Sequence, residues 1–120
     1  MAQLLPVIVE DILDHIEQAQ SFVGDMTFEQ FRGDRKTQRA VERCLEVISE
    51  ASRHVPDDVK AKHPQIPWKD VAGSGNVFRH VYRSVAVTIV WDTVKVHLPP
   101  LEAAMRAIEA ELPDDGVPQP

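Results

Sequence analysis

Apolar residues recur at steps of three and four over most of this chain, which is the period of a helix with one buried face. Ile8, Ile12, Ile16, Ala19 and Val23 make the first such stripe, and Pro6 suits its first turn because the missing N–H would be unpaired there. Gly24-Asp25 ends the stripe. Thr27 can cap a short turn through Phe28 and Phe31, and Gly33 then breaks the chain. Asp34 is placed to cap a second long helix, whose apolar positions are Val41, Cys44, Leu45, Ile48, Ala51 and Val55.

Pro56-Asp57-Asp58 restarts the chain as a short helix with two acids at its positive end. Ile66-Pro67-Trp68 begins another turn, with Trp68 expected as a core plug. Gly73-Ser74-Gly75 reads as a flexible break. A third long helix is expected to open at Ser74, with Phe78, Val81, Val85 and Ile89 on one stripe and Trp91 and Val94 extending it. The β-branched run Val85–Val90 has no second strand-like run to pair with, and a lone strand leaves its backbone groups unbonded, so it reads as helix. Pro99-Pro100 is expected to end that helix and start a fourth, with Leu101, Met105, Ile108 and Leu112 on one face. The expected fold is all-α, an up-and-down bundle of four main helices plus short helical turns. Residues 1–112 form a single domain on this reading, and 113–120, with three prolines, a frayed tail.

Charge and composition narrow the function. The net charge is −6, so nothing draws the whole molecule to nucleic acid; an RNA contact needs a local basic patch or a dimer groove. Cys44 is the single cysteine, reads as a buried thiol, and fits a reducing, cytoplasmic location. Met1 to Val9 is apolar but lacks a basic leader, and no apolar run approaches the roughly 20 residues that span a membrane. The five histidines show no metal-ligand spacing, so neither a metal nor a cofactor is expected. The glycines at 73 and 75 lack the lysine and preceding strand of a nucleotide loop.

The polar chemistry concentrates around His80. On a continuous helix, Asn76 four residues before it and Arg83 three after it share its face. An amide and a guanidinium there can hold phosphate oxygens while the imidazole moves protons. A helix start at Ser74 to Asn76 would add free backbone N–H groups for an anion. Glu50, near the edge of the second stripe, is a candidate to orient a basic side chain on the neighbouring helix; its bland reading is a solvated carboxylate. For His80 the bland reading is a surface histidine. Tyr82 lies about 160° around an ideal helix from His80 and reads as a packing residue.

The ordered set Asp11-Ile12-Leu13, Phe31…Asp34…Thr37, Ala40-Val41, Ile48-Ser49-Glu50-Ala51, Pro64-Gln65-Ile66-Pro67-Trp68, Asn76…His80-Val81-Tyr82, Val90-Trp91 and Leu98-Pro99-Pro100-Leu101 resembles the HepT-like toxins, small HEPN-domain proteins. The resemblance runs from about Val7 to Leu112. It implies a HEPN-like homodimeric bundle. It also implies a metal-independent endoribonuclease, acting as the toxin of a toxin–antitoxin pair, whose partner is a nucleotidyltransferase-domain antitoxin. The family motif is an arginine followed four to six residues later by histidine, often continuing as His-x-Tyr. His80 matches the histidine and Asn76 the polar residue after the arginine. Tyr82 matches the tyrosine to which the antitoxin of some relatives attaches AMP. The departure is Gly75, which stands where the arginine belongs and can neither grip a phosphate nor stabilise its developing charge. Three readings of it remain open: an engineered substitution, natural loss of catalysis, or transfer of the role to Arg79 or Arg83. The rival to an enzyme is a non-catalytic helical dimer that binds the nucleotidyltransferase.

Overall fold

A computed structural model describes residues 4–113, so the tail expected at 113–120 lies almost wholly outside the described residues. Every regular element in that range is helical. They are α1 (Leu5–Val23), α2 (Phe28–Arg32), α3 (Arg35–Ser52), α4 (Asp57–Ala61), α5 (Trp68–Val77), a 3₁₀ turn (Phe78–His80), α6 (Arg83–Asp92), a π turn (Thr93–His97) and α7 (Leu98–Ala110). Helix α1 lies along α3, α5 packs on α3, and α7 packs on α1.

The first half follows the apolar pattern closely. Ile8, Ile12, Ile16, Ala19 and Val23 of α1 are buried, as are Val41, Cys44, Leu45 and Ile48 of α3. Thr27 forms a full capping box with Gln30, and Gly24 leaves α1 with a positive φ of 51°. Trp68 is half-buried, and its indole N–H donates to the carbonyls of Lys60 and His63, which ties α4 to α5. Trp91 packs against Phe28 and Phe31, with ring centroids 5.7 and 5.4 Å away.

The second half departs from expectation at three places. Gly73-Ser74-Gly75 is not a break: all three residues lie inside α5. The third long helix is instead interrupted after His80, where Val81 (φ −127°, ψ 163°) and Tyr82 (φ −60°, ψ 151°) are extended. That interruption re-phases the apolar stripe. Val81 and Val85 are exposed, and Ala86, Val87, Val90 and Val94 face the core in their place. Pro99-Pro100 does not end a helix either. The π turn over Thr93–His97 carries the chain directly from α6 into α7, with the prolines in the first turn of α7. Prolines are tolerated there because first-turn N–H groups have no partner within their own helix.

Burial raises the Cys44 thiol above its ordinary range, with the nearby Asp14 charge adding to the effect. The Asp34 carboxylate accepts from the backbone N–H of Thr37 at 3.0 Å and from its hydroxyl at 2.8 Å. These bonds hold its pKa below the ordinary 3.8. A carboxylate shifted down on folding adds stability above its unfolded pKa, and that stability is lost as pH falls through the folded value. The stability gap between the native chain and Asp34→Ala, measured by urea denaturation, will therefore be fully open at pH 6 and will narrow as pH drops below 3.8.

Candidate active site at the break between two helices

Helix α5 packs on α3, and Gly75 lies in the seam. A Cβ on Gly75 would stand 2.9 Å from the Ser49 Cβ and 3.1 Å from its Oγ. Ser49 uses its hydroxyl to donate to the Ala72 carbonyl at 2.6 Å, one turn earlier on α5. Arg53 donates to the same carbonyl at 3.1 Å. Gly75 is thus buried where a side chain has no room without moving α5 off α3. The position expected to hold an arginine is closed by the partner helix.

The site residues leave this contact in order. Asn76 lies in the last turn of α5 and is exposed. This is a helix C-terminus, whose carbonyl end disfavours anions, so the backbone anion site expected at Ser74–Asn76 is not formed. Phe78 anchors the 3₁₀ turn in the core, and Arg79 and His80 emerge exposed beside it. Tyr82 comes next as the N-cap of α6 and is 86% exposed. Arg79, His80, Val81, Tyr82 and Val85 line one shallow concavity.

The interruption at Val81–Tyr82 takes Arg83 off the face on which it was expected to meet Asn76 and His80, both of which precede the break. Arg83 turns to α3 instead. Its Nη1 donates to Glu42 Oε2 at 2.7 Å, and its Nη2 donates to Gln38 Oε1. Gln38 is buried and passes its amide N–H groups to the carbonyls of Phe31 and Arg32, at 2.8 and 2.9 Å. Arg79 donates to Glu46 Oε2. Glu42 and Glu46 are one turn apart on α3, and each also meets an arginine of its own helix: Arg39 at 3.2 Å and Arg43 at 3.5 Å. The result is two rungs, each an α3 carboxylate between two guanidinium groups.

The rungs differ in strength. The Glu42 side chain is 8% exposed and Arg83 34%, so this pair is the better shielded from water and the costlier to part, even though Glu42 keeps Arg39 at 3.2 Å. Arg79 is 55% exposed over a Glu46 that is 22% exposed, and pairs of that kind contribute about 0.2–1 kcal/mol. Glu50 reaches no basic side chain of a neighbouring helix; it is the exposed carboxylate of its bland reading, with Arg53 and His54 both at 3.3 Å. Gln38, Glu42, Glu46 and Ser49 went unmarked in the sequence because each looks like an ordinary helix-surface residue. Their only local signal is spacing, since Glu42, Glu46 and Ser49 fall on one side of α3 at steps of four and three.

A deeper, mostly apolar groove of about 460 Å³ lies elsewhere, among Leu45, Ile66, Val71, Val96 and Leu101. None of Asn76, His80 and Tyr82 lines it. Among the described residues, no three of His, Cys, Asp or Glu gather closely enough to hold a metal ion. No described helix is long and apolar enough to cross a membrane.

Comparison with known proteins covers most of the chain. The family described as "Ribonuclease HepT-like" matches residues 12–108, a span that includes α3, α5 and the whole His80 turn. The chain belongs to the HepT-like ribonuclease family. It is 44% identical over 94 residues to "Probable ribonuclease HepT" of Thermococcus cleftensis, covering 78% of this chain and 86% of that protein. It is 40% identical over 105 residues to "Putative RNase MJ0127" of Methanocaldococcus jannaschii, covering 84% and 87%. "Putative RNase MJ0125" of the same organism is 36% identical over 102 residues, covering 85% and 88%. No solved structure matches. Within the HepT-like fold of this chain, the Gly75–Ser49 contact sets where the His80 turn sits.

That contact makes a specific demand on stability. Gly75→Ala overpacks the α3–α5 seam and will lower stability in urea by about 1–3 kcal/mol. The Gly75→Ala/Ser49→Gly pair will lose less than the sum of the two single losses, because each change gives room to the other.

Proposed function

We propose that this chain is a metal-independent endoribonuclease and the toxin of a toxin–antitoxin pair. The observation that carries the reading is an exposed His80, presented at a helix break between two arginines, in a chain of the HepT-like ribonuclease family. His80 acts as the acid/base group. In its neutral form it takes the proton of an RNA 2′-hydroxyl. The 2′-oxygen bonds to the adjacent phosphorus, the bond to the 5′-oxygen breaks, and that oxygen leaves with the proton returned by the His80 imidazolium. The products are a 2′,3′-cyclic phosphate and a 5′-hydroxyl end. The nucleophile comes from the RNA itself, so a histidine and a phosphate-holding group suffice. Asn76 helps to position the phosphate. The active form is a homodimer in the cytoplasm, in which two His80 turns share one groove and the local positive charge is doubled.

The partner is a nucleotidyltransferase-domain antitoxin, and Tyr82 is its target. The phenol oxygen attacks the α-phosphorus of ATP, pyrophosphate leaves, and AMP is joined to the tyrosine. What supports the choice is the exposure of Tyr82 beside His80. An AMP group there adds negative charge and bulk where the RNA phosphate must lie. A second reading draws on the closed position 75: the same chain binds the nucleotidyltransferase without cleaving RNA.

Incubation with RNA in the presence of a chelator separates the two. His80→Ala will lower the cleavage rate by about 10²–10⁴-fold with the fold intact by circular dichroism. Equal rates for the native and His80→Ala chains, or no cleavage by either, favour the binding module. With the cognate nucleotidyltransferase and ATP, intact-mass and peptide spectra will place one AMP on Tyr82, and Tyr82→Phe will take none. AMP found on another residue removes Tyr82 from the mechanism.

A further inference from the structure

The two arginines beside the His80 turn are not equally free. Arg83 is fastened to α3 by two acceptors, Gln38 and the buried Glu42. Among the described residues, Arg79 has a single partner, Glu46, and more than half of its side chain is exposed. Glu46 also keeps Arg43 at 3.5 Å, so it retains a cation when Arg79 swings away. Arg79 and His80 are adjacent on one turn and line the same concavity. Position 75, by contrast, has no room for a cationic side chain.

We infer that Arg79 is the phosphate-holding residue of this site and that Glu46 is the carboxylate on which it is parked between substrates. An RNA phosphate takes the guanidinium from Glu46 and receives the paired N–H donors that suit two of its oxygens. No covalent bond changes in this exchange. Glu46 is a positioning residue: at rest it holds Arg79 beside His80 and cancels its charge, and Arg43 keeps it paired once RNA is bound. The inference takes its ligand, an RNA phosphodiester, from the ribonuclease reading above.

The test uses a 2′-O-methyl oligonucleotide, which binds but has no nucleophile, monitored by fluorescence anisotropy across a salt series. Glu46→Gln will tighten binding about two- to fivefold, the range expected from freeing one exposed ion pair. Arg79→Ala will weaken binding and lower the steepness of log K against log salt by about 0.7, the share of one single-strand phosphate. Arg79→Lys will restore that steepness but only part of the affinity, because it keeps the charge and loses the fork. The deciding comparison is Glu46→Gln made in the Arg79→Ala background, where the tightening must disappear. Tightening that survives there is a general charge effect and overturns the parking role. An unchanged salt dependence in Arg79→Ala, or no measurable binding by any of these chains, overturns the phosphate role. The two readings fail separately. If unmodified RNA is cut in a His80-dependent way while the cycle shows no coupling, the ribonuclease stands and the Arg79 grip falls. If the cycle behaves as expected and unmodified RNA is not cut, the grip stands and the ribonuclease falls.

Discussion

The contact between Gly75 and Ser49 governs the course of the chain from α5 to α6. With no side chain at 75, α5 settles directly on α3, and the Ser49 hydroxyl locks the approach through the Ala72 carbonyl. The chain leaves α5 within reach of the α3 carboxylates. Arg79 meets Glu46, and Arg83, beyond the break, meets Glu42. A Cβ at 75 pushes on atoms held rigidly by the α3 backbone, so the seam resists any larger residue. The glycine is therefore integral to this packing, and an arginine placed there would need a different spacing between the two helices.

The second consequence is electrostatic. This chain carries 13 Lys and Arg against 19 Asp and Glu, and the arginines nearest His80 are each paired with an acid of α3. A site that handles phosphate needs a cation that can leave its partner at low cost. Depth separates the two candidates. Burial makes the Arg83–Glu42 rung a structural tie between α6 and α3, whereas exposure makes the Arg79–Glu46 rung exchangeable. Among the described residues, the buried Nε of Arg83 has no hydrogen-bond partner.

Much of the fold was legible in the chain because its first half obeys local rules. The stripes of α1 and α3, the Thr27 and Asp34 caps and the buried Cys44 all arise from helical period and hydrogen-bonding chemistry within a few residues. The candidate site was legible as residue types, with His80, Asn76 and Tyr82 found by spacing and by resemblance. Their arrangement was not. A glycine pair reads as a break when only propensity is considered, yet here the glycines sit inside a helix because close packing on α3 outweighs their conformational freedom. The true break falls at Val81–Tyr82, where β-branched and aromatic residues tolerate an extended backbone and no sequence breaker marks the spot.

What the sequence by itself determined is the helical class, the core positions of the first two long helices and the identity of the polar residues around position 80. Each depends on periodicity or on side-chain chemistry that a short window contains. What only the tertiary structure decided is which of those residues act together. Glu46 and Arg79 are 33 positions apart, and Glu42 and Arg83 are 41 apart. Their pairing depends on the distances at which α5 and α6 pack on α3, and for α5 the bare Gly75 against Ser49 is one part of that packing. No local pattern encodes those distances, because each arises from two surfaces meeting and not from either surface alone.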